Sequence, residues 1–332
     1  MTTPSKLPLS VLDLVPVGSG TSAAAAVRRS VELAQLAERL GFVRLWFAEH
    51  HSMPAVASAA PEVLIAHVAA HTRRLNVGSG GVMLPNHPPL RVAEAFRTLE
   101  ALHPGRIDLG LGRAPGSDVH ATRALRAANG EYFPQLLSEL LGWSGPHEAP
   151  SSAPELIAMP ADAALPPVWI LGSSGASARM AGQAGFGYSF ASHFSPTPAA
   201  PAFDAYREAF VPSARFAKPH AILGVSVCCA PTAEEAEHLA SAMDLAWVRI
   251  RSGVFEPLPS PEEARGREYS PAEQALIRQF RRLVIVGTPA QVREQIEAKA
   301  QECSADEVMI VTNMHSHAAR LRSYELVAKA FA

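Results

Sequence analysis

The chain is poor in cysteine, in net charge and in long apolar runs, and each shortage removes a class of function. Its three cysteines, the adjacent Cys228 and Cys229 and the distant Cys303, are too few for a disulfide framework and show no CxxC metal spacing. They read as buried thiols. The 29 Lys+Arg and 31 Asp+Glu nearly cancel, which argues against a nucleic-acid or membrane-surface partner and for a small, mostly uncharged ligand. No apolar run approaches a bilayer span; the alanine-rich stretch at 23–27 is short and leads into Arg28 and Arg29, so a cytoplasmic protein is expected. A dinucleotide fingerprint is missing as well. Gly110, Gly112 and Gly116 give GxGxxxG with Pro115 inside it, and no acidic residue ends a following strand at the right distance. His67 and His71 have helical i, i+4 spacing but no intervening Glu, and no metal site is expected.

What is present is alternation. Short apolar runs at 9–14, 44–48, 75–79, 106–111, 167–171, 187–191, 221–229 and 307–312 read as eight strands. Helical patterns separate them at 23–40, 61–71, 90–102, 119–141, 176–184, 199–210, 233–250 and 290–302, and a last one at 318–331 closes the chain. Eight β-then-α repeats fit an α/β fold of the (β/α)8 TIM-barrel type, one domain over 1–332, with ligand-binding groups at the carboxyl ends of the strands. Two stretches interrupt the rhythm, after strands 4 and 7. Residues 142–166, rich in Pro, Ser and Ala, read as a surface excursion, and 252–282, with four prolines among charges and a helical pattern at 272–282, reads as a lid.

The residues with chemical potential fall at those carboxyl ends. Glu49, His50 and His51 follow the second strand; neighbours along a strand point to opposite sides, so the two imidazoles should not chelate one metal, and one of them is a candidate acid/base. The third strand runs into Gly80-Gly81, bare backbone against which a flat ligand can press, and the fourth ends at Gly112-Arg113, a fixed cation. The fifth leads through Gly172-Ser173-Ser174-Gly175 to Ser177 at a helix start, where unpaired N–H groups and hydroxyls suit a phosphate. Phe190, His193 and Phe194 after the sixth strand, with Trp247 and Phe255 beside the lid, are candidates to line an apolar pocket.

With these residues in view the chain resembles the bacterial-luciferase-like, flavin-dependent monooxygenases, in their non-luminescent subgroup. The likeness spans nearly the whole length. It rests on FAEHH at 47–51, LNVGSGGVMLP at 75–85, HPGRIDLGLGRAPGSD at 103–118, LGSSGASARMAGQAG at 171–185, GTPAQV at 287–292 and VTNMHSHAARLRSYELVA near the end. The resemblance implies reduced FMN as co-substrate, taking up O2 at C4a, with a small aldehyde, ketone or aromatic compound oxygenated. It implies His50 as the proton-managing histidine with Glu49 near the same pocket, a cis peptide at Gly80–Gly81 under the flavin ring, and a cofactor site of Gly80, Gly81, Met83, Arg113, Ser173, Ser174, Gly175 and Ser177. Phe190 and His193 are then substrate-pocket candidates. Gly112 stands where light-emitting members carry a reactive cysteine, so light emission is not expected. A separate flavin reductase and a homodimer are further expectations. The alternatives on the same barrel are an F420-dependent dehydrogenase, which moves hydride without O2, and a flavin-binding protein without turnover.

Overall fold

The computed structural model describes residues 7–114, 116–143 and 156–332. Among them run nine parallel strands: β1 (Leu9–Asp13), β2 (Arg44–Phe47), β3 (Asn76–Met83), β4 (Ile107–Gly112), β5 (Val168–Gly172), β6 (Gly187–Phe190), β7 (Ala221–Cys229), β8 (Val284–Gly287) and β9 (Glu307–Val311). The helices are α1 (Ala23–Leu40), α2 (Pro61–Ala70), α3 (Pro89–Leu102), α4 (Val119–Ala124), α5 (Phe133–Leu141), α6 (Gly175–Gln183), α7 (Ala200–Ala209), α8 (Ala233–Arg251), α9 (Pro261–Arg265), α10 (Pro271–Arg281), α11 (Pro289–Glu302) and α12 (His317–Ala330). Strands β1 to β6 pair in sequence, β6 pairs with β7, β7 with β9 and β9 with β1, which closes an eight-stranded TIM barrel.

Local chemistry explains the boundaries. Helix α1 begins where the Ser22 side chain accepts from the Ala25 N–H at 3.2 Å, and it ends at Gly41, whose φ of 79° only glycine adopts without cost. Its buried face, Ala26, Ser30, Leu33, Ala34 and Ala37, recurs at helical spacing against the sheet.

Two elements differ from the sequence expectation. Strand β8 was not anticipated; it pairs only with the upper half of β7, outside the closed ring, through Ser226↔Val284 to Cys229↔Gly287. The helix expected over 119–141 is broken into α4 and α5, because Arg126 turns to φ 54° and Asn129 caps a new turn by accepting from the Glu131 N–H. Of the excursion at 142–166, residues 144–155 lie outside the described residues. Its flanks are pinned by the α3 residue Arg97, which donates to the carbonyls of Ala158, Pro160 and Trp143.

The barrel interior holds Leu12, Trp46, Ala48, Trp169, Ile222, Met309 and Val311, one inward row per strand, while the alternate residues pack outward under the helices. Below this layer lies a charged one. Arg44 donates to Glu307 at 2.8 and 3.1 Å and to Asp108 at 2.7 Å, and Trp46 and Trp169 donate to Asp108 at 3.0 and 3.1 Å. Ser10 also donates to Glu307, and the His220 ring meets it at 3.0 Å. Burial by itself would raise the Glu307 pKa, but the Arg44 charge and the three donors bring it down to about 2.

Candidate active site

The alternation that buries Trp46 and Ala48 inside the barrel carries on past β2. It sends His50 toward the mouth and turns Glu49 and His51 outward. Glu49 is fully buried and fully engaged: it accepts from the Met83 N–H at 2.9 Å and the Asn86 amide at 2.9 Å, and the rings of His51 and His87 meet it at 2.9 and 3.0 Å. Burial works to raise its pKa; the hydrogen bonds and charge of His87, with Asn86 and His51, overcome this and hold it below the usual carboxylate range. The same contacts raise the His87 pKa against its own burial. Glu49 therefore clamps the end of β2 to the turn after β3. That is a correction to the expectation of a carboxylate in the pocket, and its cause is parity.

His50 is the other half of that parity. Its Nδ1 is buried without a hydrogen-bond partner, and burial lowers its pKa, only partly countered by Glu49. Close to it the end of β3 is stripped of side chains. The Gly80–Gly81 peptide is cis, the β3–β4 register shifts between Ser79 and Val82, and the Ser79 hydroxyl replaces the lost ladder by bonding to both backbone groups of Gly110. A Cβ on Gly80 would lie 2.8 Å from Leu12 and 3.0 Å from Trp46, and one on Gly81 2.6 Å from the Gly110 carbonyl. Only bare backbone fits there, which leaves a cradle of the kind a planar ring can rest on. The Met83 thioether packs across Gly112, where an added Cβ would meet its Sδ at 2.7 Å.

One strand pair away the sheet gathers groups whose chemistry suits an anion. β4 and β5 align Leu111 with Ile170, so Arg113 and the turn at Gly172 leave the barrel side by side. Arg113 is exposed and has no ion-pair partner among the described residues. At the start of α6 the Ser174 side chain makes no capping bond, so first-turn N–H groups stay available. The Ser177 hydroxyl bonds to the Ser174 carbonyl at 2.9 Å and lies 3.2 Å from the Tyr188 hydroxyl. Gly172 makes this possible, since its Cβ would fall 2.2 Å from that oxygen. Bare cradle, cation, hydroxyls and helix start together form a donor set that suits a phosphate-bearing cofactor of the flavin type.

The two substrate-pocket candidates separate. His193 packs against β7, its Nδ1 buried without a hydrogen bond of good geometry and the Gly224 backbone close enough to act on the ring. Phe190 faces the other way, fully buried against Phe203 of α7 at 6.2 Å; inward places on β6 are kept small because the Trp169 ring lies over Gly187. Phe190 thus packs between the sheet and α7. Trp247 stacks on Phe280 at 4.3 Å and lines a small cleft with Ser226, Cys228, Asp244, Arg281 and Asn313. Phe255 lines another on the other side of α8. Neither cleft is lined by His50 or His193.

Sequence reasoning missed several residues. Asn86 and His87, which complete the Glu49 clamp, were signalled by polar side chains just past a glycine-rich strand end. Asn313, whose Oδ1 is buried without a partner, stands in the quoted VTNMHSH segment. Tyr188 gave no local signal at all. Among the described residues no group of three or more His, Cys, Asp or Glu side chains is arranged to hold a metal, and no helix is long and apolar enough to cross a membrane.

The model of the luciferase-like monooxygenase family matches residues 7–307. The chain belongs to that family. It is 43% identical over 327 residues to a luciferase-like monooxygenase of Escherichia coli strain K12, covering 98% of this chain and 97% of that protein. An N-acetyl-S-alkylcysteine monooxygenase of Bacillus subtilis is 33% identical over 338 residues, with 97% of each chain covered. Among solved structures, apo-MsnO8 superposes with a TM-score of 0.89 at 37% identity over 98% of both chains. As a luciferase-like monooxygenase, the protein is an oxidoreductase that incorporates oxygen.

Proposed function

We propose that this luciferase-like monooxygenase binds reduced FMN delivered by a separate reductase and uses O2 to oxygenate a small apolar compound, an aldehyde, ketone or aromatic. The observation that carries the reading is His50: an imidazole at the mouth with a buried, unpartnered Nδ1, beside a backbone cradle and next to a phosphate-type donor set. Reduced flavin supplies the electrons that activate oxygen. The chain's own groups do the rest. Arg113, the hydroxyls of Ser173, Ser174 and Ser177 and the N–H of Gly175 hold the phosphate, while Gly80, Gly81 and Met83 seat the ring. Depressed by burial, His50 is neutral near pH 7 and so can take a proton at Nδ1 and return it. Glu49 acts through position, fixing the backbone on either side of the cradle.

The segment at 252–282 serves as the lid of a single domain, limiting water at the mouth. Exposed Val63 on α2 and Leu102 on α3 favour a homodimer. The name of the Bacillus relative adds thioethers to the substrates to be screened.

The test is anaerobic titration with reduced FMN and, separately, reduced F420, followed by mixing with oxygenated buffer. The expected result is preferential FMN binding and reoxidation slower than that of free flavin, with O2 consumption coupled to substrate. Binding of F420 alone, with substrate oxidation and no O2 uptake, overturns the proposal.

A further inference from the structure

We propose that His193 is a second substrate-contacting imidazole, facing His50 across the mouth, whose Nδ1 hydrogen-bonds a carbonyl or hydroxyl oxygen of the substrate and so sets which compounds are accepted. This rests on the monooxygenase reading and names the substrate feature its site recognises. Four observations carry it.

The first is space made for the ring. On β7 the inward row runs Ile222, Gly224, Ser226, and a Cβ at Gly224 would lie 2.9 Å from the His193 Nδ1. A side chain at 224 would press on the imidazole and force it to shift. The second is the unused atom: Nδ1 is buried with no hydrogen bond of good geometry, although the Gly224 backbone lies close enough to act on the ring. A buried nitrogen left unpaired is costly unless something arrives to pair it. The third is orientation, for the ring is held edge-on to Phe194 at 4.9 Å and 87°. The fourth is its opposite number. His50 is near enough to act on His193 electrostatically, and each ring carries a buried Nδ1 without a hydrogen-bond partner.

The surroundings keep His193 uncharged. Gly224 and Ser226 on β7 and Phe194 beside the ring carry no charge, and the titratable group facing it is His50, itself depressed by burial with Glu49 and His51 behind it. Burial first, then the nearby His50, lower the His193 pKa to about 4. A neutral imidazole accepts or donates one hydrogen bond at Nδ1 according to tautomer, which matches a hydroxyl or a carbonyl and does not attract a carboxylate. The ligand class is therefore neutral and oxygen-bearing.

The experiment uses the FMN-loaded protein with 15N-labelled histidine, titrated with cyclohexanone, cyclohexanol and, as the oxygen-free control, methylcyclohexane. The expected result is a His193 ring that stays neutral to about pH 5, an Nδ1 resonance moved by the ketone or alcohol and unmoved by the hydrocarbon, and about 10-fold weaker ketone binding in His193→Phe. His193→Asn, which returns a polar group near the Nδ1 position, should recover most of it, and FMN affinity should be unchanged in both. Gly224→Ala displaces the ring without altering its chemistry and should lose the same preference, which guards against misfolding of one variant. Equal binding of ketone and hydrocarbon, or a His193 titrating near 6.5, overturns the assignment. The binding arm needs no turnover. If O2 is consumed and His193 is silent, this inference alone fails; if FMN does not bind or O2 is not consumed, the flavin reading fails whatever His193 reports.

Discussion

At the amino end of the barrel seven side chains share polar atoms completely. Ser10, Arg44, Trp46, Asp108, Trp169, His220 and Glu307 form one buried network in which no buried side-chain nitrogen or oxygen lacks a partner. At the carboxyl end His50, His193 and Asn313 each keep a buried polar atom with none. The same closed sheet supports both. The difference separates stability from readiness: a paired network holds strands in register, whereas unpaired atoms represent free energy recovered when a ligand docks. Position in the barrel agrees, since chemistry in this fold gathers at the carboxyl ends of the strands.

The contrast is broken most easily from below. Glu307→Gln leaves Arg44 buried with half its charge partners, and chemical denaturation should show a loss of about 3 kcal/mol, with FMN affinity of the folded fraction intact. The pH dependence has a definite sign. The folded Glu307 pKa of about 2 lies below its ordinary 4.5, so its contribution is fully present above about pH 4.5 and disappears as pH falls toward 2. In Glu307→Gln that part of the acid limb should vanish. An unchanged acid limb would show that the lower network is not what holds the barrel.

From above the pattern should invert. His50→Ala is expected to cut product formation about 100-fold or more while unfolding free energy stays within about 1 kcal/mol of the parent and FMN affinity is retained. A parallel loss of stability would erase the distinction between the two ends. Smaller effects sharpen it. Arg113→Ala should weaken FMN binding about 10-fold or more and riboflavin binding hardly at all, since riboflavin lacks the phosphate. Ser177→Ala should weaken FMN binding a few-fold, measured by the same fluorescence titration.

Much of this architecture was legible in the chain. The eight barrel strands were readable as short apolar runs because each is buried on both faces, and α1 was readable to the residue because Ser22 and Gly41 mark its ends. Strand β8 escaped because four residues following Arg281 and Arg282, outside the alternation of the ring, look like the tail of a charged helix. Parity was available for β2 and separates His50 from Glu49 once Trp46 and Ala48 are taken as inward. At β6 nothing local says that Trp169 reserves the inward space and turns Phe190 toward α7. His193 lies beyond regular structure, and its seat is defined by a glycine 31 residues later, a relation visible only in three dimensions.

The long insertion is tied down on two sides, to α8 through Arg281 on Asp244 and Phe280 on Trp247, and to the loop after β1. Leu258 donates to the Val17 carbonyl at 2.8 Å and accepts from the Ser19 N–H at 2.8 Å, and Ser19 is in turn held by His315 beyond β9 at 3.0 Å. A segment sewn to both the first strand's loop and α8 behaves as part of the wall: any rearrangement of 252–282 has to break contacts on two sides at once.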